Sequence, residues 1–191
     1  MMTVAVRIVP GRRLLSYADG VRDVYRDAFG RPPWNEDAGR ADAYLDRLGT
    51  DVHRPGFTAA LALAGEAMVG WATAWNTPDP FPVERCYPQI AAALGDRRTQ
   101  DWLCGAREVD ELAVAERARG TGIGARLLHM VTADRTDGRC WLLTAARATD
   151  TLRFYEWAGW TVATHPSPSG TSHAALLGPR HPARHLAPRP L

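Results

Sequence analysis

Residues Glu108 to Leu128 read EVDELAVAERARGTGIGARLL, and the fold turns on how this stretch is read. Val109 to Val114 mixes acidic and apolar residues in the manner of a half-buried strand. A polar connection follows, then a glycine-rich turn from Arg119 to Gly124, then Ile123, Leu127, Leu128 and Val131 at helical spacing. Strand, glycine turn and helix in this order suit an anion. Glycines at 120, 122 and 124 permit backbone conformations closed to other residues and let a ligand approach closely. The first turn of the helix then offers unpaired N–H groups and the positive end of its dipole.

Three loop chemistries share this outline. A Walker-type phosphate loop ends in Gly-Lys-Ser/Thr, and the chain contains no lysine. A dinucleotide fingerprint is satisfied in spacing by Gly120, Gly122 and Ala125, but only about seventy residues follow, too few for the repeated βαβ units of that fold. The third pattern is Arg/Gln-x-x-Gly-x-Gly/Ala, met by Arg119, Gly122 and Gly124. Downstream, Cys140-Trp-Leu-Leu-Thr-Ala reads as a buried strand after the turn signal Asp137-Gly138. Thr149 to Ala158 reads as a helix stopped by Gly159, with Leu152 and Tyr155 inward and Phe154 beside them. It carries Arg153-Phe-Tyr-Glu-Trp-Ala-Gly-Trp, an aromatic-Tyr pair followed by Gly and an aromatic residue.

In these two motifs, correctly ordered, the chain resembles the GNAT superfamily of acyl-CoA-dependent N-acetyltransferases. The likeness extends over residues 3–178, with its specific part confined to 108–160. It implies an α/β (α+β) fold: a mixed, mostly antiparallel sheet flanked by helices, with a V-shaped splay between two central parallel strands, 107–114 and 139–145. It also implies acetyl-CoA as cosubstrate and an acetyl transfer to a primary amine of a small molecule or peptide, by direct attack in a ternary complex. The competing reading is a non-catalytic acyl-CoA-binding sensor or partner-binding module on the same fold.

Composition narrows the setting. An apolar fraction of 46% and a charged fraction of 23% belong to a soluble globular protein. A net charge of +2 with dispersed arginines argues against a nucleic-acid partner. No apolar run approaches the roughly 20 residues of a membrane span, and Met1 to Leu15 lacks a signal-peptide core. Cysteines at 86, 104 and 140 are odd in number and lack metal-ligand spacing, so a reducing cytoplasm and no metal are expected. One domain over 1–178 is expected, as monomer or homodimer, followed by a disordered Pro/Arg/His-rich tail over 179–191.

Other elements follow from periodicity. Val4 to Val9 alternates as a first strand, and Gly20 to Gly30 is an amphipathic helix with Val21, Val24, Tyr25, Ala28 and Phe29 on one face. Asn35, Glu36 and Asp37 make a good start for a second helix ending near Gly49. Phe57–Ala64 and Met68–Trp75 read as a hairpin across Gly65-Glu66, where Gly70, Ala72 and Ala74 leave one face flat for a packed helix. Gln89 to Leu94 is a short helix, and Asp96 to Gln100 a polar connection. Gly159–Thr164 and Thr171–Leu177 close the sheet around the turn 166–170.

The resemblance also assigns roles. Leu112, Ala113 and Val114 would line the pantetheine arm, and backbone groups of Arg119, Gly120, Thr121, Gly122, Ile123 and Gly124 would cradle the pyrophosphate, with Arg119 adding charge. Tyr155 would give its proton to the departing thiolate. The general base falls among Glu111, Asp110 and Glu108. Glu111 is preferred, because counted back from Arg119 it stands where some family members carry an acidic base. Simple alternation puts Asp110 on the face of Leu112 and Val114, and Glu111 on the other. Trp34, Trp75 and Glu108 are candidates for contact with the acceptor amine. Ala148 departs from the family pattern, which often has asparagine there, so one usual CoA contact is replaced or absent.

Overall fold

The structure is a computed structural model that describes residues 3–164 and 173–187. The chain divides into two compact units: residues 1–75 with 109–134, and residues 76–108 with 135–191.

The first unit opens with strand β1 (Val4–Val9), the short helix α1 (Gly11–Leu15) and helix α2 (Ala18–Phe29). Helix α2 buries Val21, Val24, Tyr25, Ala28 and Phe29, the face its periodicity predicts. Helix α3 (Gly39–Asp51) starts four residues later than expected. Asn35 sits at φ 49°, a left-handed conformation no helix accepts, and its amide bonds back to Arg31. Asp37 instead supplies the capping oxygen, Oδ1, to the Gly39 amide at 2.9 Å. Strands β2 (Thr58–Ala64) and β3 (Ala67–Asn76) form the expected antiparallel hairpin, and β2 pairs antiparallel with β1.

Strand β4 (Arg107–Val114) supplies most of its length to this unit and is followed by helix α6 (Ile123–Thr132). Helix α6 buries Ile123, Leu127, Leu128 and Val131 and packs on β1 and β2. Burial of each such leucine contributes about 1.5–3 kcal/mol. The flat face of β3 is occupied as its small residues suggest. A Cβ added at Gly70 would stand 2.8 Å from the Ala113 carbonyl and 3.1 Å from the Leu127 side chain. Glycine here is what lets β3, β4 and α6 close together. On the opposite side, Trp71 packs with Tyr25 and Tyr44, at ring separations of 6.4 and 5.8 Å.

The second unit contains helix α4 (Tyr87–Leu94), the helical turn α5 (Asp96–Arg98), strand β5 (Cys140–Ala145), helix α7 (Thr149–Trp157) and strands β6 (Thr161–Val162) and β7 (His173–Leu177). Strand β7 pairs antiparallel with both β5 and β6. The expected polar connection at 96–100 is helical instead: α5 runs into a π-helical turn, Thr99–Leu103. Trp102 and Leu103 explain the difference, because their burial with Tyr87, Ile90 and Trp141 outweighs the polar residues before them. The tail is likewise better ordered than its composition suggests. His181 and Ala183 are buried, and residues Arg184–Leu186 form a 3-10 turn. The expected turn at 166–170 lies outside the described residues, as do residues 188–191.

The strands follow the order β1-β2-β3-β4-β5-β7-β6 in a seven-stranded mixed sheet, mostly antiparallel, with β4 and β5 parallel. This is the expected fold class. Among the described residues no helix is long and apolar enough to cross a membrane.

Candidate active site

The glycine turn is built by the backbone. Gly120 and Gly122 take φ values of 71° and 80°, and Gly122 forms the left-handed N-cap of α6 without a side-chain cap bond. Among the described residues, the amides of Gly120 through Ala125 meet no hydrogen-bond acceptor. A helix start with several consecutive unpaired N–H groups and no acidic residue in its first turn suits an anion.

Side chains brace this turn. Thr121 donates its hydroxyl to the Ala118 carbonyl at 2.6 Å. Arg119 was expected to face phosphate, but its Nε donates to Val114 O at 3.2 Å and its Nη2 to Ala28 O at 3.3 Å. A guanidinium presents several fixed donors, and here carbonyls of the first unit capture them. Arg117 donates to Met68 O at 3.2 Å in the same manner.

The acidic strand is built by side chains. Asp110 accepts from Arg47 Nη1 at 3.0 Å, and its carboxylate is only 2% exposed. Arg47 also lies 3.7 Å from Asp51, which in turn accepts from Arg54 Nε at 2.6 Å. The Arg47 guanidinium sits 5.2 Å over the Tyr44 ring. Tyr44 is buried, and its hydroxyl accepts from Trp71 Nε1 at 3.1 Å. Burial drives the Tyr44 phenol well above its ordinary pKa, and the charges of Glu111 and Asp110 push it the same way. Tyr25 donates to Glu36 Oε2 at 2.7 Å and is also pushed upward, by burial first, then by Glu36 and by the charge of Glu111.

Alternation assigns Asp110 and Glu111 to opposite faces of β4; Asp110 meets Arg47 on α3, and the charges of both carboxylates act on Tyr44.

Of the residues expected against the acceptor, Trp34 keeps exposed surface, at the edge of the Phe29 ring 5.6 Å away. Trp75 is fully buried beneath the Arg54 guanidinium at 4.7 Å, and its indole N–H has no hydrogen-bond partner among the described residues. Glu108 is buried in the second unit, where it accepts from the Tyr87 hydroxyl at 2.7 Å. Tyr155, also in that unit, is buried on α7 with Phe154 and Trp160 at ring separations of 5.1 and 6.2 Å. Ala148 precedes α7 with no side-chain cap bond.

Residues 61–162 match the sequence profile of the acetyltransferase (GNAT) domain, more than half of the chain. The chain belongs to this family. No curated protein matches the GNAT chain by sequence. Solved structures share its fold at low identity. One, from Desulfovibrio desulfuricans and assigned to the GNAT family, has 21% identity and a TM-score of 0.62, covering 92% of this chain and 96% of its own. A PaiA N-acetyltransferase from Thermoplasma acidophilum, in complex with coenzyme A, has 12% identity and a TM-score of 0.59, with coverage of 93% and 99%. The aminoglycoside N-acetyltransferase AAC(6')-Iy, in complex with CoA, has 14% identity and a TM-score of 0.55, with coverage of 82% and 87%.

Outside the matched span, Tyr44, Arg47, Asp51 and Arg54, which the sequence reading passed over, form the surroundings of Asp110 on the α3 side. Their spacing puts Tyr44, Arg47 and Asp51 on one face of α3, a pattern that is visible in sequence. Their strand partner, Asp110, is 63 positions away from Arg47 and is not.

Proposed function

We propose that this GNAT domain transfers an acetyl group from acetyl-CoA to a primary amine of a small molecule or peptide, by direct attack within a ternary complex. The observation that carries this reading is the run of unpartnered amides from Gly120 to Ala125 at the start of α6. These amides would hold the pyrophosphate, while Leu112, Ala113 and Val114 would offer strand edges to the pantetheine arm. Acetyl-CoA would supply an acetyl thioester.

The chain's own residues would manage the protons. Glu111, among Tyr25, Tyr44 and Asp110, accepts the proton lost by the acceptor amine. Tyr155 gives its phenolic proton to the sulfur as the C–S bond breaks. Trp34 and Glu36 border the acceptor and suit a cation that carries apolar surface. Trp75 and Glu108 are both buried, which leaves Trp34 as the first of the three for contact with the acceptor.

Calorimetric titration with acetyl-CoA and separately with NADH tests the binding half, and thiol release with a panel of primary amines tests the transfer. Tight acetyl-CoA binding with amine-dependent thiol release is expected. Binding with no release for any amine would replace the enzyme with a sensor. Binding of NADH alone would remove the reading altogether. Mass spectrometry of lysate supplied with acetyl-CoA would then identify the metabolite that gains an acetyl group.

A further inference from the structure

Two acidic side chains stand at the entry to a turn that suits an anion. Asp27 lies near the end of α2, and Glu116 opens the 3-10 turn Glu116–Ala118 that leads into Arg119 and Gly120. A carboxylate close to a bound pyrophosphate opposes it, so each must serve some other purpose there. That of Asp27 is visible: its Oδ2 accepts the main-chain amide of Glu116 at 2.7 Å. Arg31, four residues on, lies 3.8 Å from Asp27 Oδ1 and also pairs with the Glu116 carboxylate, so one guanidinium answers both charges. Asp27 is 28% exposed and Arg31 57%, so these ion pairs are weak and the bond to the amide is the specific contact.

The same helix receives the other end of the entry, where Arg119 Nη2 donates to Ala28 O at 3.3 Å. Between these two anchors the turn closes on itself: the Ala118 amide bonds to Ala115 O at 2.8 Å and the Arg119 amide to Glu116 O at 3.1 Å. The Glu116 residue is therefore held at its N–H by Asp27 and at its carbonyl by Arg119, and the glycines follow directly.

We infer that Asp27 is a positioning residue for the glycine turn: its carboxylate fixes the Glu116 amide and so sets how the amides from Gly120 onward face an anion. This rests on the reading of those amides as the holders of the acetyl-CoA pyrophosphate. A turn fixed before the ligand arrives spares the ordering that binding would otherwise cost. The sign of the effect separates an anchor from a mere charge. As a charge alone, Asp27 weakens anion binding, and any substitution that removes it should tighten binding. As an anchor it strengthens binding, so losing the acceptor oxygen should weaken it, whereas an amide oxygen in its place should not.

The test is the affinity of Asp27→Ala and Asp27→Asn for acetyl-CoA by calorimetry, with Gly122→Asp as the reference for a lost site. Asp27→Ala should bind about ten-fold more weakly, and Asp27→Asn, whose amide oxygen still accepts from Glu116, within about two-fold of wild type. Glu116→Pro deletes the donor instead, at the first position of a helical turn, where proline is tolerated. It should weaken binding as much as Asp27→Ala and add nothing to it in combination, while Glu116→Ala, which keeps the amide, should lose less. Hydrogen exchange of the free protein is the second measure: amides 116–119 should exchange faster in Asp27→Ala than in Asp27→Asn or wild type. An aspartate with a structural role alone would lower Tm and leave the affinity of the folded protein unmoved. Unchanged or tighter binding in folded Asp27→Ala overturns the inference, and so does equal weakening in Asp27→Asn. If Asp27→Ala does not fold, Glu116→Pro against Glu116→Ala decides. If wild type and Gly122→Asp bind acetyl-CoA alike, the reading of the turn fails instead, and exchange at 116–119 still decides whether Asp27 fixes it.

Discussion

The glycine turn and the acidic end of β4 are neighbours in chain and in unit, yet they are constructed in opposite ways. The turn offers main-chain amides, and its side chains point their polar atoms back at main-chain carbonyls. The strand offers carboxylates, and these are fixed by side chains of other elements: Asp110 by Arg47 on α3, Glu108 by Tyr87 on α4. A backbone site tolerates changes in side chain as long as its φ angles survive. A side-chain site depends on every partner around it, because each buried charge is balanced by another. The two should therefore fail differently when mutated.

The largest effect is expected where a side chain is forced into the backbone site. Gly122→Asp keeps a left-handed residue that aspartate can adopt at a cost of about 1 kcal/mol, so the fold should survive. A Cβ there meets no protein atom within 4 Å, so the new carboxylate would project into the space left for the ligand. At about 5 Å in an effective dielectric of about 20, each charge pair with a pyrophosphate would cost about 3 kcal/mol. Acetyl-CoA binding should fall by two orders of magnitude or more by calorimetry, with Tm lowered by only a few degrees. An unchanged affinity would mean that these amides do not hold phosphate. Arg119→Ala sharpens the contrast: it should weaken binding several-fold, by loosening the turn, and far less than Gly122→Asp.

Next in size is a single hydroxyl in the second unit. Tyr155→Phe keeps the ring and its packing against Trp160 and removes the proton donor. General acid assistance is worth about 10²–10⁴ in rate, so kcat should fall within that range while acetyl-CoA affinity stays within about two-fold. Loss of affinity without loss of kcat would make Tyr155 a packing residue. The backbone site and the proton-handling site would then no longer be separable by mutation.

The same contrast explains what the sequence disclosed. Glycines at 120 and 122 advertise positive φ, and the missing side-chain cap at α6 is itself a property of Gly122. Nearly every boundary near that turn could be read, including Cys140–Ala145 to the residue. The polar connection read over 96–100 is helical because burial of Trp102 and Leu103 just beyond it overrides local polarity, a choice made by tertiary contact. The partner of Asp110 is hidden for a related reason: Arg47 lies on another element, and no local period encodes that pairing. Arg119 shows the limit from the other side: its position in the motif was legible, but the carbonyls that hold its side chain were not.

The smallest effect tests whether dependence on side chains extends beyond the site. His181, in the segment that composition marked as disordered, is buried in the second unit. Its Nδ1 accepts from the Ala183 amide at 3.1 Å, so the ring proton lies on Nε2, which donates to Trp102 O at 3.0 Å. A second ring proton would face the Ala183 N–H. Burial lowers the His181 pKa below its ordinary value, and Arg139 adds to this, against the Trp102 carbonyl and Asp137. The folded chain thus binds this proton less readily than the unfolded chain, where histidine titrates near pH 6.5. The stabilisation is complete above about pH 6.5 and is lost as pH falls toward the lower folded value. His181→Asn keeps an acceptor for the Ala183 amide but cannot titrate. At pH 7.5 it should be less stable than wild type by about 1 kcal/mol, from the bond to Trp102. Between pH 6.5 and 5 its stability should fall less steeply, by at most about 1.4 kcal/mol per pH unit. Thermal melts of both proteins across this range measure the slope. Parallel curves would show that His181 is protonated at no cost and that the C-terminal segment is held by its apolar contacts alone.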